Sequence, residues 1–181
     1  MRWVPRLLLL LMFLPFLARA QTGAIISGND RHHPVFAANG MVASQEAVAT
    51  KLGVDILRQG GNAIDAAVAV GFILAVTLPR AGNLGGGGFM LIHHSQSGET
   101  LALDYREKAP AKADRDLFLG PDGELDKVKA RFSHLSIAVP GTVAGLIEAH
   151  RRFGSLPLRA VMTPAITLAR KGLMVTPGLA R

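Results

Sequence analysis

The first regular pattern of apolar residues predicts an amphipathic helix over residues 45–59. Apolar side chains recur every four positions within it, so they fall on one face of a helix. Ser44 stands just before this pattern and is predicted to cap the helix, because its hydroxyl can accept a hydrogen bond from a terminal N–H group. The short apolar run at residues 40–44 is a candidate strand. The residues on the apolar face are Val48, Leu52 and Ile56.

A second helix, predicted over residues 63–78, is apolar on nearly every side. Asn62 is predicted to cap it, and Asp65 places a negative charge in its first turn, where the helix dipole favours one. A helix without a polar face is typical of a buried element, and a membrane span is the alternative. The segment is short for a span, carries Asp65 and ends at Pro79, so we predict a central core helix.

Four consecutive glycines, Gly85 to Gly88, lead directly into an apolar strand at residues 89–92. A second strand candidate covers Thr100 to Tyr105, and Ser97-Gly98 before it has the composition of a turn. These segments predict a β-hairpin. Because glycine has no side chain, the glycine run also allows another backbone or a ligand to approach closely.

Beyond the hairpin, the pattern is irregular before it becomes helical again. Residues 106–136 are polar, with a short helical piece predicted around residues 115–119 and a turn at residues 121–123. Two more helices are predicted over residues 142–153 and 156–170, each followed by a glycine. Two helices, a hairpin and two further helices predict an α/β fold in which helices cover a mixed sheet.

The extreme N-terminus has the three parts of a cleavable secretory signal peptide at residues 1–20. Two arginines precede an apolar run, and Ala18-Arg19-Ala20 is an A-x-A cleavage site. The run is too short to cross a bilayer comfortably, since about 20 apolar residues are needed, and an uncleaved anchor is the alternative. We predict a periplasmic or secreted protein with a loose leader at residues 21–39, a main domain at residues 40–181, and no membrane span after signal cleavage.

The net charge of +7 does not indicate a nucleic-acid partner. Three arginines and no acidic residue lie within residues 1–20, so the rest of the chain carries +4. Its basic residues are scattered, whereas nucleic-acid binding needs a clustered patch. The chain has no cysteine, which excludes thiolate zinc sites and thiol nucleophiles and leaves packing to stabilise an exported domain.

Spacing alone assembles no catalytic or metal-binding constellation. A phosphate loop would need a strand, then glycines, then a helix, whereas this glycine run stands between a helix and a strand. His93 and His94 would point to opposite faces of a strand, and no histidine pair has metal-ligand spacing. Thr142 begins a helix and has no adjacent base. We therefore predict no metal, no cofactor and no catalytic residue in this chain.

Arg106, at the end of the second strand, is the most informative charged residue. It stands near Asp104 and Glu107, and could form a structural ion pair with either. It could equally present its planar fork to a carboxylate ligand, which an arginine binds better than a lysine does. The residues alone leave both interpretations open.

Five stretches stand in series along the chain: GMVAS at 40–44, GGNAIDAA at 60–67, AGNLGGGGFM at 81–90, DYRE at 104–107 with APA at 109–111, and PGTVAG at 140–145. Each stretch is weak alone, whereas their order and spacing together are specific. Over roughly residues 35 to 181, they resemble the start of the γ-glutamyltranspeptidases, also called glutathione hydrolases.

The resemblance implies the fold of N-terminal-nucleophile hydrolases, an αββα sandwich, of which this chain would be an incomplete N-terminal portion. It implies a proenzyme that cuts itself into a large and a small subunit. The new N-terminal threonine of the small subunit would attack glutathione or other γ-glutamyl compounds, with its own terminal amine as base. The γ-glutamyl group would then pass to water or to an amino-acid or peptide acceptor.

The resemblance also gives Arg106 a role, because it matches the family arginine that binds the α-carboxylate of the γ-glutamyl group. Tyr105 stands where phenylalanine is common and Lys108 follows two residues later; neither should disturb the arginine fork. The threonine nucleophile belongs to a part of the family that this chain lacks. We therefore expect the chain alone to be inactive and to expose apolar surface around the predicted core helix.

Two other functions stay open at this stage. The chain could be a non-catalytic protein that binds carboxylates or pairs with a separately encoded small subunit. It could also belong to a related acylase that acts on β-lactam side chains, because a shared fold does not fix the substrate.

Overall fold

The computed structural model describes residues 34–175 and 179–180. The predicted signal peptide at residues 1–20, and the predicted leader up to residue 33, lie outside the described residues. The helices and strands given below belong to a unit that extends from Ala37 to Arg181. The domain boundaries that the sequence suggests stay predictions.

Helix α1, Ala47–Arg58, confirms the amphipathic helix predicted there. Its N-cap is Glu46, whose carboxylate accepts hydrogen bonds from the N–H groups of Val48 and Ala49 at 2.9 and 2.8 Å. A carboxylate forms stronger hydrogen bonds than a hydroxyl, and its charge suits a helix N-terminus. The predicted Ser44 cap is therefore wrong, and the Ser44 hydroxyl instead donates to the carbonyl oxygen of Glu46 at 2.9 Å.

Residues 40–44 form no strand, which contradicts the prediction for them. A strand is defined by hydrogen bonds to a neighbouring strand, and the sheet in the described residues has two strands, both in the hairpin. The apolar character of the segment comes from packing against the helical core. Val42 covers Gly53 of α1, where an added Cβ would lie 2.9 Å from a Val42 methyl carbon.

Helix α2, Ala63–Thr77, forms where the sequence predicts the core helix. The Asn62 side chain accepts hydrogen bonds from the N–H groups of Ile64 and Asp65, and the Asp65 carboxylate accepts from the Asn62 N–H at 2.9 Å. This reciprocal capping box confirms the predicted Asn62 cap. The buried residues of α2 are Asp65, Ala66, Val68, Ala69, Val70, Phe72, Ile73 and Thr77.

The predicted hairpin is present and consists of β1, Phe89–His94, and β2, Glu99–Asp104, paired antiparallel. Gly98 makes the turn with a φ of +72°, in the left-handed region that favours glycine. Side chains alternate between the two faces of the hairpin. Ile92 on one face is 5% exposed, whereas Leu91 on the other is 78% exposed.

The segment between the hairpin and the next long helix differs from the prediction at two places. Residues 115–118 form turns and Leu119 forms an isolated bridge with Leu125, in place of the predicted helical piece. A six-residue helix, α3, Lys127–Phe132, and a 3₁₀ helix, His134–Ser136, form where none was predicted. Neither contains a buried residue, so no apolar periodicity marks them in the sequence. The predicted turn at residues 121–123 is present.

Two long helices follow close to their predicted positions. They are α4, Thr142–Phe153, and α5, Leu158–Lys171, and each ends at a glycine as predicted. Helix α5 begins two residues later than predicted, because Pro157 disfavours helical geometry at Leu156.

Helix α2 lies at the centre of this arrangement, and α1, α4 and α5 all pack against it. Val68 and Ile73 of α2 are fully buried. Apolar surface is nevertheless exposed in this chain, as expected, and Phe89 and Leu91 of the hairpin are among the open side chains. Within the described residues, no helix is long and apolar enough to cross a membrane.

Asp65 joins α2 to the connection between α4 and α5. Its side chain is fully buried, and its oxygens accept hydrogen bonds from the N–H groups of Ser155 and Leu156 at 3.1 and 3.2 Å. The Nε2 atom of His150 lies 3.6 Å from Asp65 Oδ1 and 2.8 Å from the Leu156 carbonyl oxygen. The buried charge is thus surrounded by donors, which a carboxylate away from water requires.

Candidate substrate-binding site

Arg106 lies two residues after the end of β2 and projects from the exposed side of the hairpin. The alternation of buried and exposed positions continues past the end of the strand: Tyr105 and Glu107 are partly buried, and Arg106 and Lys108 are exposed. Arg106 therefore lies on the same side as Phe89 and Leu91, which we call the open face of the hairpin. The side chain of Arg106 is 68% exposed.

Two neighbouring acidic residues hold Arg106 in different ways. The Arg106 Nε atom donates to Glu107 Oε2 at 3.0 Å. The backbone N–H of Arg106 donates to Asp104 Oδ1 at 2.9 Å. The sequence allows either residue as the ion-pair partner of Arg106. In the structure Glu107 pairs with the guanidinium, whereas Asp104 accepts a hydrogen bond from the Arg106 backbone.

The Glu107 carboxylate is held in its charged form. Its own backbone N–H, the Arg106 guanidinium and the N–H of Gly87 together lower the pKa of this carboxyl below the usual range of glutamate. Glu107 is therefore ionised at neutral pH and connects the Arg106 side chain to the glycine run.

The glycine run anchors helix α4 to the hairpin. The Gly86 carbonyl oxygen accepts hydrogen bonds from the N–H groups of Gly141 and Thr142, at 2.8 and 3.0 Å, at the start of α4. The Asn83 side-chain oxygen accepts from the Gly86 N–H at 2.7 Å and from the Thr142 hydroxyl at 2.8 Å. The run therefore has a structural role here, and Thr142 serves as the helix-start residue that its position predicts.

A cleft of about 310 Å³ lies between the end of β2 and the first turns of α4. Arg106, Lys108, Val139 and Glu148 contribute to its walls. Lys108 and Val139 pair through both backbone groups, at 2.8 and 3.2 Å, which closes one side of the cleft. The Glu148 carboxylate is engaged by Arg151, which donates two hydrogen bonds of 2.8 Å to it.

Tyr105 is the site residue whose importance the sequence reasoning missed. Its ring packs on Gly145 of α4, where an added Cβ would overlap the ring, and on Gly88, where it would lie 2.9 Å from Cε2. Burial raises the pKa of the Tyr105 hydroxyl above its usual value. The spacing of Gly141 and Gly145 is the available signal, since residues four apart form one small-residue strip on a helix.

The two hairpin histidines hydrogen-bond to neighbouring hydroxyl groups. The ring of His93 is bonded to Thr100 Oγ1 and that of His94 to Ser97 Oγ, both at 3.1 Å. Across residues 34–175 and 179–180, no group of three or more metal-ligating side chains is found.

Comparison with known families identifies the protein family of this chain. The family model described as gamma-glutamyltranspeptidase matches residues 49–181, which is most of the chain. The chain belongs to the γ-glutamyltranspeptidase family. The resemblance seen in the sequence is thereby confirmed, including its extent through the hairpin and the first turns of α4.

Individual relatives agree with this assignment. The chain is 58% identical over 151 residues to the glutathione hydrolase proenzyme of Escherichia coli strain K12, covering 83% of this chain and 26% of the relative. The crystal structure of Helicobacter pylori gamma-glutamyltranspeptidase matches 81% of this chain with a TM-score of 0.76 and 43% identity, over 42% of its own chain. The chain thus spans about a quarter of the length of the curated relatives that it matches.

A more distant structural neighbour belongs to an acylase. The cephalosporin acylase of Bacillus halodurans matches 86% of this chain and 30% of its own, with a TM-score of 0.64 and 28% identity. Together these structures confirm the predicted fold class, the α/β fold of N-terminal-nucleophile hydrolases. The described residues of this family member contribute four long helices and one hairpin to that fold.

Proposed function

We propose that the protein to which this chain contributes is a γ-glutamyltransferase and glutathione hydrolase, and that Arg106 binds the α-carboxylate of the γ-glutamyl group. The observation that carries the proposal is the placement of Arg106 on the open face beside a cleft, in a member of this family. The Glu107 ion pair engages Nε, and an arginine fork can bind a carboxylate end-on through its terminal nitrogens Nη1 and Nη2.

The reaction that fits this family is acyl transfer through a threonine. The N-terminal threonine of a small subunit attacks the γ-glutamyl amide, its terminal amine takes the proton, and the amine product leaves. Water or an amino-acid or peptide acceptor then releases the γ-glutamyl group. Arg106 acts by positioning the donor, and accurate positioning accounts for a large share of enzymatic rate.

Production as a proenzyme and export complete the proposal. The relatives in Escherichia coli and in two Pseudomonas strains are named glutathione hydrolase proenzymes, which supports self-cleavage into two subunits. The signal-peptide pattern at residues 1–20 supports a periplasmic or secreted enzyme that acts on glutathione outside the cytosol. Expression of the full gene product with N-terminal sequencing of the exported form tests both points.

The role of Arg106 is testable in a chimera in which this chain replaces the matching segment of the Escherichia coli proenzyme. We expect Arg106→Ala to raise KM for γ-glutamyl-p-nitroanilide by about 30-fold, because hydrogen bonds to charged groups contribute roughly 2 kcal/mol. Arg106→Lys keeps the charge but loses the bidentate geometry, and should recover only part of the affinity.

Arg115→Ala is the matched control for Arg106→Ala. Arg115 also donates through Nε to the acidic residue that follows it, at 3.1 Å to Asp116 Oδ1, but it does not line the cleft. Its loss should leave KM unchanged. An equal rise of KM in both variants would contradict the binding role of Arg106.

A second candidate function is acylase activity on β-lactam side chains, which the similarity to the cephalosporin acylase of Bacillus halodurans favours. A glutaryl amide differs from a γ-glutamyl amide by the loss of the α-ammonium group, and both carry a carboxylate for Arg106. The ratio of kcat/KM for the two p-nitroanilides therefore separates the functions. Preference for the glutaryl substrate in the full gene product would replace the first proposal by the second.

A further inference from the structure

We infer that Tyr105 is a positioning residue that sets the direction of Arg106 by wedging its ring between the glycine run and helix α4. The inference rests on the proposed function of Arg106 and goes beyond it, because it assigns a role to a residue that does not itself meet the substrate.

The backbone on both sides of Tyr105 is fixed. The Tyr105 N–H donates to the Gly88 carbonyl at 3.1 Å, and the Gly88 N–H donates to the Tyr105 carbonyl at 3.4 Å, which extends the hairpin beyond β2. The next N–H, that of Arg106, is held by Asp104 Oδ1 at 2.9 Å. Consecutive peptide groups therefore have little freedom to rotate.

Residue 105 fits here only because three neighbouring residues lack side chains: Gly145 and Gly88 make room for its ring, and Gly141 makes room for its carbonyl group. At Gly145 an added Cβ would overlap the ring, at Gly141 it would overlap the Tyr105 carbonyl, and at Gly88 it would lie 2.9 Å from Cε2. Gly88 belongs to the glycine run, whereas Gly141 and Gly145 belong to the start of α4. The ring thus bridges the two elements that form the base of the cleft.

Opposite side-chain directions connect this wedge to Arg106. In an extended chain neighbouring side chains point to opposite faces, so a ring fixed inward at position 105 forces position 106 outward. Tyr105 is partly buried and Arg106 is 68% exposed, as this geometry requires. Without the wedge, the backbone hydrogen bonds of residues 105 and 106 alone hold this segment, and the arginine fork is directed less firmly.

The test uses the same chimera and measures KM and kcat separately for γ-glutamyl-p-nitroanilide. We expect Tyr105→Leu, which keeps an apolar side chain but not the flat ring, to raise KM about 10-fold with kcat changed less than 2-fold. A raised KM with an unchanged kcat is expected when a variant loses the same binding energy in the ground state and in the transition state. Tyr105→Phe keeps the ring and should restore the KM of the unmodified chimera.

A double variant separates positioning from general damage. If Tyr105 acts through Arg106, Tyr105→Leu adds nothing to the KM of Arg106→Ala, because the two changes remove the same interaction. Val161→Ala is the stability control, since Val161 is fully buried in α5 away from the cleft. It should lower the melting temperature and the yield without changing KM, and KM does not depend on the fraction of folded enzyme.

Each outcome is decisive. A normal KM in Tyr105→Leu, or additive effects in the double variant, would overturn the role of Tyr105 while leaving that of Arg106 intact. A normal KM in Arg106→Ala would instead remove the proposed function on which the inference rests. If Tyr105→Leu does not fold, Gly145→Ala displaces the ring without removing it and is expected to raise KM in the same way.

Discussion

At the scale of single residues, four consecutive positions divide the work of the candidate site. Asp104 and Glu107 hold the backbone and side chain of Arg106, and Tyr105 fills the notch below them. The sequence predicts that Arg106 stands at the end of the second strand, whereas its open orientation is seen in the structure. The choice of Glu107 over Asp104 as ion-pair partner could not be predicted, because both lie within reach and only the hairpin register separates them.

The Glu107 ion pair predicts a pH dependence of substrate binding. Because the folded-state pKa of Glu107 is lowered, the pair is intact above that pKa and is lost only as the pH falls through it. KM of the chimera should thus not change through loss of this pair between pH 8 and pH 5. Glu107→Gln removes the pair at every pH and should raise KM about 3-fold, a small effect because exposed pairs contribute little.

Asp116→Asn is the control for this measurement, since it breaks the similar pair with Arg115 outside the cleft. KM should be unchanged in this variant at every pH. A wild-type KM that rises already between pH 7 and pH 6 would show that another group controls the orientation of Arg106.

At the scale of elements, the glycine run determines how the hairpin meets α4. From the sequence, the glycine run predicts only that something packs closely against it. The element that does so, the start of α4, lies more than fifty residues further along the chain and could not be identified. Local capping was also hard to predict. Ser44 fits the usual preference for a helix start, but the charged side chain at Glu46 reaches two N–H groups at once.

The four glycines should tolerate alanine very differently. Gly85 has nothing within 4 Å of an added Cβ, so Gly85→Ala should leave the chimera folded and active. At Gly87 the same methyl group would lie 2.7 Å from the Glu107 N–H nitrogen and from the Tyr105 carbonyl oxygen, both backbone atoms. Gly87→Ala should therefore lower the melting temperature and raise KM. Similar behaviour of the two variants in thermal melting and kinetics would contradict the close packing described for Gly87.

The buried carboxylate that joins α2 to the α4–α5 connection should be sensitive to amide replacement. Asp65→Asn exchanges an acceptor oxygen for a donor, so a backbone N–H of Ser155 or Leu156 loses its partner. We expect the free energy of unfolding of the chimera to fall by about 2 kcal/mol, the usual cost of an unsatisfied buried donor. Urea denaturation measures this change.

Asp55→Asn in α1 is the matched control for Asp65→Asn. The Asp55 carboxylate pairs with Lys51 and Arg58 at the surface, at 2.8 and 3.1 Å. Exposed pairs of this kind contribute little, so the urea midpoint should hardly move. A larger loss for Asp55→Asn than for Asp65→Asn would refute the anchoring role of the buried carboxylate.

At the scale of the whole molecule, the sequence pattern predicts helices around a sheet but not which surfaces stay open. The apolar pattern of α2 correctly predicts that this helix is buried, because α1, α4 and α5 pack against it. Phe89 and Leu91 are as apolar as core residues, yet they lie on the open face. Sequence cannot separate these cases, because a strand buried on one face and a strand buried on both can contain the same residue types.

The open face predicts the behaviour of the purified chain by itself. We expect residues 21–181 to show no cleavage of γ-glutamyl-p-nitroanilide above a mutant control, and to self-associate in sedimentation velocity through the exposed apolar hairpin. Leu91→Gln should reduce this association, because the side chain is 78% exposed and contributes little to the core. A monomer with a sharp cooperative thermal transition, or measurable turnover, would refute the prediction.

The buried Asp65 has a consequence for the timing of protein synthesis. Its donors at Ser155 and Leu156 lie 90 and 91 residues further along the chain. At about 5–20 residues per second, a ribosome needs roughly 5 to 20 s to add that many residues. Until then Asp65 has only water as a donor beyond its own capping box, and burying it would cost free energy. The core helix can therefore close only after residues 155 and 156 have been synthesised.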